Sequence, residues 1–208
     1  LDLAGRPVID YAVRVFLDHP RIEGVVVALD PEDAHWQRTA LSGHPAIRLA
    51  NGGTERCHSV LNALDVLSEQ AQDDDWVLVH DAARPCLRAS VLDRLIQAVV
   101  DHPVGGLLGI PVRDTMKEVG AGRGVLRTVP RDRLWHAFTP QMFRYGLLRD
   151  ALQQSLEQGL MVTDEASAME LAGHRPLMVQ GHADNIKITR PEDLTLATFY
   201  LGQQSEDG

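Results

Sequence analysis

Short apolar runs alternate along the chain with stretches of helical period. This alternation constrains the fold more than any other feature. Val25-Val26-Val27-Ala28-Leu29 and Trp76-Val77-Leu78-Val79 place apolar side chains on both faces, as strands do in a sheet covered on both sides. Gly106-Leu107-Leu108-Gly109-Ile110 and a short run at 47–50 read the same way. Between them lie helical patterns. One begins at Pro7 and carries Val8, Ala12, Val15 and Phe16. Others are expected over 31–41, over 54–72 with Val60, Leu61, Leu64 and Leu67 on one face, and over 89–102 with Leu92, Leu95, Ile96 and Val99. Strands alternating with helices predict βαβ units and a mostly parallel sheet. A length of 208 residues suits one domain spanning 1–208.

The pattern breaks after Pro111. Residues 112–134 carry Gly120, Gly122 and Gly124, charges on both sides and little apolar periodicity. They predict a hairpin arm that leaves the sheet, and its apolar residues then need a partner. A second copy of the chain is the simplest one. Regular patterning resumes over 135–143, with helices expected over 144–158 and 164–172, strands over 177–180 and 185–189, and a last helix over 191–201. The polar tail GQQSEDG is expected to fray. Asp73-Asp74-Asp75 reads as a solvated turn.

Charge narrows the function. Lys and Arg number 20 against 29 Asp and Glu, a formal charge of −9. Non-specific nucleic-acid binding needs a basic surface, so an anionic ligand must meet a local cluster of Arg and Lys. The longest apolar run is far below a bilayer span, so no membrane segment is expected. The opening LDLAGRPVIDYAVRVF breaks its apolar residues with charges and is no signal peptide. Cys57 and Cys86 have no CxxC or Cys/His spacing. They read as free thiols in a reducing, cytoplasmic setting, not as a zinc site.

Five segments could carry chemistry. In Gly52-Gly53-Thr54-Glu55-Arg56-Cys57-His58-Ser59, a glycine pair leads from a strand into a helix and lets backbone N–H groups approach a ligand. The plainer reading is a turn capped by Thr54. In His80-Asp81-Ala82-Ala83-Arg84-Pro85, an acid and an arginine follow a strand that reads as central, where open α/β sheets bind ligands. Asp81 could hold a metal ion or a sugar hydroxyl, and Arg84 a phosphate; otherwise Asp81 caps the turn and pairs with Arg84. The arm carries Arg113, Asp114, Thr115, Lys117, Arg131 and Arg133. Thr163 reads as the N-cap of the helix that follows. Lys187 alternates with Ile186 and Ile188, so it points away from their face. No GxSxG, Walker loop or Rossmann fingerprint is present, and neither cysteine has flanks suggesting a thiolate.

In this order, the runs GGxxRxxSV, HDAARP, Arg113-Asp114-Thr115, Thr163-Asp164-Glu165-Ala166-Ser167 and DNIKITRPEDL resemble the bacterial 2-C-methyl-D-erythritol 4-phosphate cytidylyltransferases. The resemblance covers nearly the whole chain, and HDAARP and DNIKITRPEDL together are its most specific parts. Ribitol-phosphate cytidylyltransferases share part of the pattern. The resemblance implies a Rossmann-like, three-layer nucleotidyltransferase fold and a homodimer joined through the 112–134 arm. It implies a transferase that joins CTP to 2-C-methyl-D-erythritol 4-phosphate with release of pyrophosphate, on the non-mevalonate route to isoprenoids, with Mg²⁺ bridging the triphosphate. It further implies that Gly53 and Ser59 read the cytosine. Asp81 would lie near ribose, triphosphate and metal, with Ala82 packing there. Arg131 and Lys187 would hold the acceptor phosphate, and Thr115 and Arg84 would reach that substrate in a site shared across the dimer. Thr139 and Thr163 would line the pocket.

Two departures stand out. The family commonly has an acid right after the glycine pair, where this chain has Thr54; its hydroxyl can still hydrogen-bond cytosine or ribose. The family also opens with a strand and a Gly-rich loop ending in Pro-Lys-Gln, whose Arg and Lys stabilise the reacting phosphates. Leu1-Asp2-Leu3 resembles the segment that follows that loop, so the expectation is a sequence lacking its front strand and loop. The competing readings are a cytidylyltransferase for another polyol phosphate, such as ribitol 5-phosphate, and a non-catalytic nucleotide-binding module.

Overall fold

The computed structural model describes residues 1–206. A small antiparallel pair, β1 (Asp2–Leu3) and β2 (Arg6–Pro7), leads into α1 (Val8–Leu17). There follow β3 (Val25–Leu29), β4 (Ile47–Asn51), α2 (Arg56–Leu67), β5 (Trp76–Val79), α3 (Ala89–Val99) and β6 (Gly105–Pro111). The arm is β7 (Met116–Val119) and β8 (Val125–Val129). The chain ends with β9 (Trp135–Arg144), α4 (Tyr145–Glu157), α5 (Glu165–Leu171), β10 (Leu177–Gln180) and α6 (Pro191–Glu206).

The main sheet has the order β10-β6-β9-β5. β10 runs parallel to β6, whereas β9 runs antiparallel to both β6 and β5. β3 and β4 form a separate parallel pair. The sheet is therefore mixed, and β5, read from sequence as central, is its edge among the described residues. Period-2 alternation explains the layers. Val77, Val79, Leu107, Phe143 and Met178 face a cluster built with α2, α4 and α5. Their chain neighbours Trp76, Leu78, Leu108, Met142 and Val179 face the opposite cluster, with Phe16 and α3. The three-layer α/β architecture follows from this two-sided covering. Leu92 and Leu95 of α3 are fully buried, and each contributes roughly 1.5–3 kcal/mol.

Gly105 shows why β6 opens with glycine. Its φ is +131°, and a Cβ there would meet the Met142 carbonyl oxygen at 2.2 Å. The turn at 73–75 is exposed, as expected, but it also anchors α4: the carbonyls of Asp73 and Asp75 accept N–H bonds from Gly146 and Tyr145.

Four expectations are corrected. The 31–41 stretch makes only a 3-10 turn at Trp36–Arg38. Asp30 and Asp33 capture the backbone N–H groups of Glu32, His35 and Trp36, which competes with helix formation. Residues 185–189 form no strand. Ile186 and Ile188 still share one apolar cluster with Leu3, Val8 and Ala197, but the Ile188 N–H donates to the Ala83 carbonyl of the irregular loop after β5 at 2.8 Å and the Ile186 N–H turns back to the Asp184 carbonyl at 2.7 Å. The N-cap of α5 is Asp164, not Thr163: its carboxylate accepts the Ser167 N–H at 2.9 Å. The tail does not fray where α6 continues to Glu206, because the Gln204 amide donates to Asp184 and to the Cys86 carbonyl. Asp207 and Gly208 lie outside the described residues. No helix among the described residues is long and apolar enough to cross a membrane.

Candidate active site

Asp81 stands where β5 ends, and three cations converge on it. Arg56 Nε, from the first residue of α2, lies 3.2 Å from Oδ1. Arg84 Nε and Lys187 Nζ lie 3.3 and 3.2 Å from Oδ2. Burial pushes the Asp81 carboxyl up, but Arg56, Lys187 and Arg84 together outweigh it and hold it below the usual carboxylate range. Arg84 is itself buried. It donates to the Asn185 carbonyl at 2.7 Å and stacks over Phe138, 4.9 Å from the ring centre. Asn185 in turn donates to the Thr139 carbonyl. The plain reading of Asp81 as partner of Arg84 is thus also true; it is one bond of a larger cluster.

Histidine 80 sets the backbone beneath Asp81. Its Nε2 lies 3.0 Å from the Arg84 carbonyl, which can only accept, so this nitrogen carries the proton. Nδ1 then accepts from the Thr139 hydroxyl at 3.0 Å, and that hydroxyl oxygen accepts the Asp81 N–H at 3.0 Å. Burial pulls the His80 pKa down to about 4. The ring is neutral near pH 7.

Behind Arg56 lies Glu165, whose side chain is 1% exposed. The guanidinium grips both its oxygens, NH1 on Oε1 and NH2 on Oε2. Burial pushes the Glu165 carboxyl up, and the Arg56 charge offsets part of that push. Beside it, the buried Gln141 amide donates to Asp164 at 2.9 Å and accepts the Ala166 N–H at 2.8 Å.

These groups enclose a cavity of about 220 Å³, lined by Arg56, Asp81, Arg84, Thr139, Gln141, Thr163, Asp164 and Lys187, with Ala137 and Phe138. Of the residues expected from sequence, Asp81, Arg84, Thr139, Thr163 and Lys187 are brought together here. Ala82 is exposed beside Asp81 and is not in the lining. Gly53, Thr54 and Ser59 sit at the start of α2, outside the lining. The Gly53 N–H donates to Ser59 Oγ at 2.9 Å, and the Thr54 hydroxyl lies 3.0 Å from His58 Nδ1. A Cβ at Gly53 would meet that of His58 at 2.2 Å, so only glycine fits. The N-cap of α2 is Glu55, not Thr54. Thr115 and Arg131 are exposed at the arm, away from the lining, and Arg131 NH1 donates to the Arg113 carbonyl.

Sequence reasoning missed Arg56, Gln141 and Glu165 as site residues. Gln141 carried a signal: it is a polar residue between Pro140 and the apolar Met142-Phe143 run.

Among the described residues, no three His, Cys, Asp or Glu side chains are grouped to hold a metal ion. Asp81 offers one carboxylate on the cavity wall. That suits Mg²⁺, which is commonly held by one or two carboxylates plus substrate phosphates and water.

The family model described as IspD, 2-C-methyl-D-erythritol 4-phosphate cytidylyltransferase, matches residues 1–203. A protein of that name from Pseudomonas fluorescens (strain SBW25) is 51% identical over 195 residues, 93% of this chain and 83% of the relative. One from Vibrio vulnificus (strain YJ016) is 48% identical over 206 residues, 99% of this chain and 87% of the relative. A crystal structure of 4-diphosphocytidyl-2C-methyl-D-erythritol synthase superposes with a TM-score of 0.87 at 37% identity, covering 97% of this chain and 93% of the other.

Proposed function

The chain belongs to the 2-C-methyl-D-erythritol 4-phosphate cytidylyltransferase family, and from that premise we propose how its residues carry the reaction. The enzyme joins CTP and 2-C-methyl-D-erythritol 4-phosphate into 4-diphosphocytidyl-2-C-methyl-D-erythritol and pyrophosphate. An oxygen of the acceptor phosphate attacks the α-phosphorus of CTP in line. A new P–O bond forms, the bond from the α-phosphorus to the bridging oxygen breaks, and pyrophosphate leaves with the electron pair. A phosphate monoester has its second pKa near 6, so the nucleophile arrives already deprotonated and needs no general base. The neutral, buried His80 therefore has a structural task. Catalysis reduces to alignment and to stabilising negative charge that shifts from the attacking to the leaving oxygens.

The observation that carries this reading is the convergence of Arg56, Arg84 and Lys187 in one cavity with the hydroxyls of Thr139 and Thr163 and without a nucleophile. Lys187 is the cation best placed for an incoming phosphate: its side chain is 44% exposed and, among the described residues, Asp81 alone holds it. Arg131 offers the second grip. Arg84 and Asp81 set the floor, with Thr139 and Thr163 on the walls. The Gly53 turn, Thr54 and Ser59 take the base and sugar, with Ala82 packing beside Asp81. Asp81 would help hold Mg²⁺, which would supply neutralisation of the triphosphate charge.

The acceptor site is completed by a second copy. Met116, Val119, Val125 and Leu126 are exposed on the hairpin, and an isolated two-stranded hairpin is marginal in water. Two arms meeting across a twofold axis bury these side chains and bring Thr115 and Arg131 of one protomer to the cavity of the other. Cys57 and Cys86, both buried and free, suit a reducing cytoplasm.

The test is pyrophosphate release from CTP with methylerythritol phosphate and with ribitol 5-phosphate as acceptors. A higher kcat/KM with methylerythritol phosphate is expected. Preference for ribitol 5-phosphate would reassign the acceptor, and no release with either would leave a nucleotide-binding module.

A further inference from the structure

Arg56 stands apart from the other two cations of the cavity. Each of its three nitrogens already bonds a carboxylate: NH1 and NH2 the two oxygens of Glu165, Nε the Oδ1 of Asp81. A phosphate-binding arginine keeps its paired terminal nitrogens open for a two-pronged contact. Arg56 has spent that edge on Glu165. Lys187, by contrast, is half exposed with a single partner among the described residues.

The three partners also come from three separate elements. Arg56 is the first residue of α2, three positions after Gly53. Glu165 is the first residue of α5, two positions after Thr163. Asp81 lies two positions past Val79, the last residue of β5. One guanidinium thus ties the turn proposed for the base to the helix start that walls the acceptor side and to the carboxylate between them. Arg84 and Lys187 both lie on Oδ2 of Asp81, so Arg56 alone holds Oδ1 among the described residues. Without it the carboxylate can turn, and Lys187 turns with it.

Resting on the functional reading above, we propose that Arg56 is a positioning residue of the transfer. It fixes the spacing between nucleotide and acceptor halves and the aim of Asp81, and contacts neither substrate. The rival account is purely structural: Arg56 neutralises the buried Glu165 and does nothing else.

A double replacement separates the two. Arg56→Met alone strands a buried carboxylate, so both melting temperature and activity fall. Arg56→Met with Glu165→Met replaces a buried ion pair by apolar side chains, a change that is often neutral for stability. Its melting temperature is expected to return close to wild type. Its kcat is expected to stay low, on the order of 10²-fold down, as for a misplacement of reacting groups, with KM for CTP unchanged. A double variant with wild-type kcat would overturn the proposal. Should the double variant not fold, Arg56→Lys decides. It keeps Glu165 neutralised but cannot span both carboxylates, so low kcat with unchanged KM for CTP supports positioning and wild-type kcat refutes it. Assays use whichever acceptor the wild type turns over. A wild type that prefers ribitol 5-phosphate corrects the acceptor and leaves the proposal standing. A wild type that releases no pyrophosphate defeats both.

Discussion

The cluster around Asp81 and the 112–134 arm solve opposite problems. In the cluster, charges that would be costly to bury are closed by partners from the same chain, through Arg56, Arg84, Glu165 and Asn185. In the arm, only the ladder is closed. Met116 pairs with Val129, Lys117 Nζ donates to the Thr128 hydroxyl, and Arg127 meets Glu118. The apolar side chains of the arm gain nothing: Val125 is 62% and Leu126 66% exposed. A region that satisfies itself can be built from one chain. A region that sets its register but leaves its apolar side chains exposed is what the proposed pairing of two arms would cover.

The largest effect should come from joining the two regions. Lys187→Ala removes the cation left free for phosphate, and kcat/KM for methylerythritol phosphate should fall on the order of 10²–10³-fold, as when one stabilising donor is lost. CTP binding, followed by titration calorimetry, should hardly change. Thr115→Ala should also impair the acceptor step. Mixing the two inactive proteins under subunit exchange should recover activity, because one of the heterodimer's two sites is then intact. No recovery, with exchange demonstrated, would put all these residues in one chain and end the shared-site account.

The arm itself comes next. Leu126→Asp puts a charge where the partner's apolar side chains should pack. Burying one Leu is worth roughly 1.5–3 kcal/mol, and a twofold axis counts each substitution twice, so dimer affinity should weaken on the order of 10²-fold or more. Sedimentation at falling concentration would show it. The monomer should keep its melting cooperativity, because the hairpin contributes no residue to the buried clusters. An unchanged sedimentation profile would leave the exposed apolar face without its explanation.

A smaller effect belongs to the cluster alone. His80 is held neutral, its pKa lowered from 6.5 to about 4. The unfolded chain therefore binds a proton in a range where the folded chain does not. The His80 contribution is fully present above pH 6.5 and is lost as pH falls towards 4. At about 1.4 kcal/mol per unit, it amounts to roughly 3 kcal/mol at most. Urea melts from pH 7 to pH 4 should show that loss, and His80→Asn should flatten the slope. An equal slope in the variant would assign the acid sensitivity elsewhere.

The sequence reveals the layers because burial on both sheet faces is written in period 2: Val77 and Val79 go one way, Trp76 and Leu78 the other. It misleads where side chains bind backbone. Asp30 and Asp33 stop a helix that Pro31 to Trp36 could otherwise begin. The alternation at Ile186-Lys187-Ile188 is real, yet the segment bonds an irregular loop and no strand forms. Asp81 and Arg84 were legible from their place after a strand of the sheet, and Lys187 through the family resemblance carried by its DNIKITRPEDL run. Arg56 and Glu165 were not, since the two are 109 positions apart and each alone reads as an ordinary first-turn helix residue. What makes them a pair is burial, which periodicity does not report for a single charged side chain.

The finest test concerns Asp164, the last carboxylate on the cavity wall. One oxygen caps α5 through the Ser167 N–H, and the other accepts from the Gln141 amide, whose side chain is buried. Losing a cap costs about 1 kcal/mol, and stranding a buried amide adds on the order of 1 kcal/mol more. Asp164→Ala should therefore destabilise by roughly 2 kcal/mol. Gln141→Met in that background removes the stranded donor but takes the Oε1 partner from the buried Ala166 N–H, so no stability should be regained. Activity should fall less than stability implies, because the Arg56–Glu165 grip fixes the start of α5 independently. If Asp164→Ala instead abolished turnover while melting near wild type, the carboxylate would have to meet substrate directly. The cluster would then be open at one more point than the arm comparison allows.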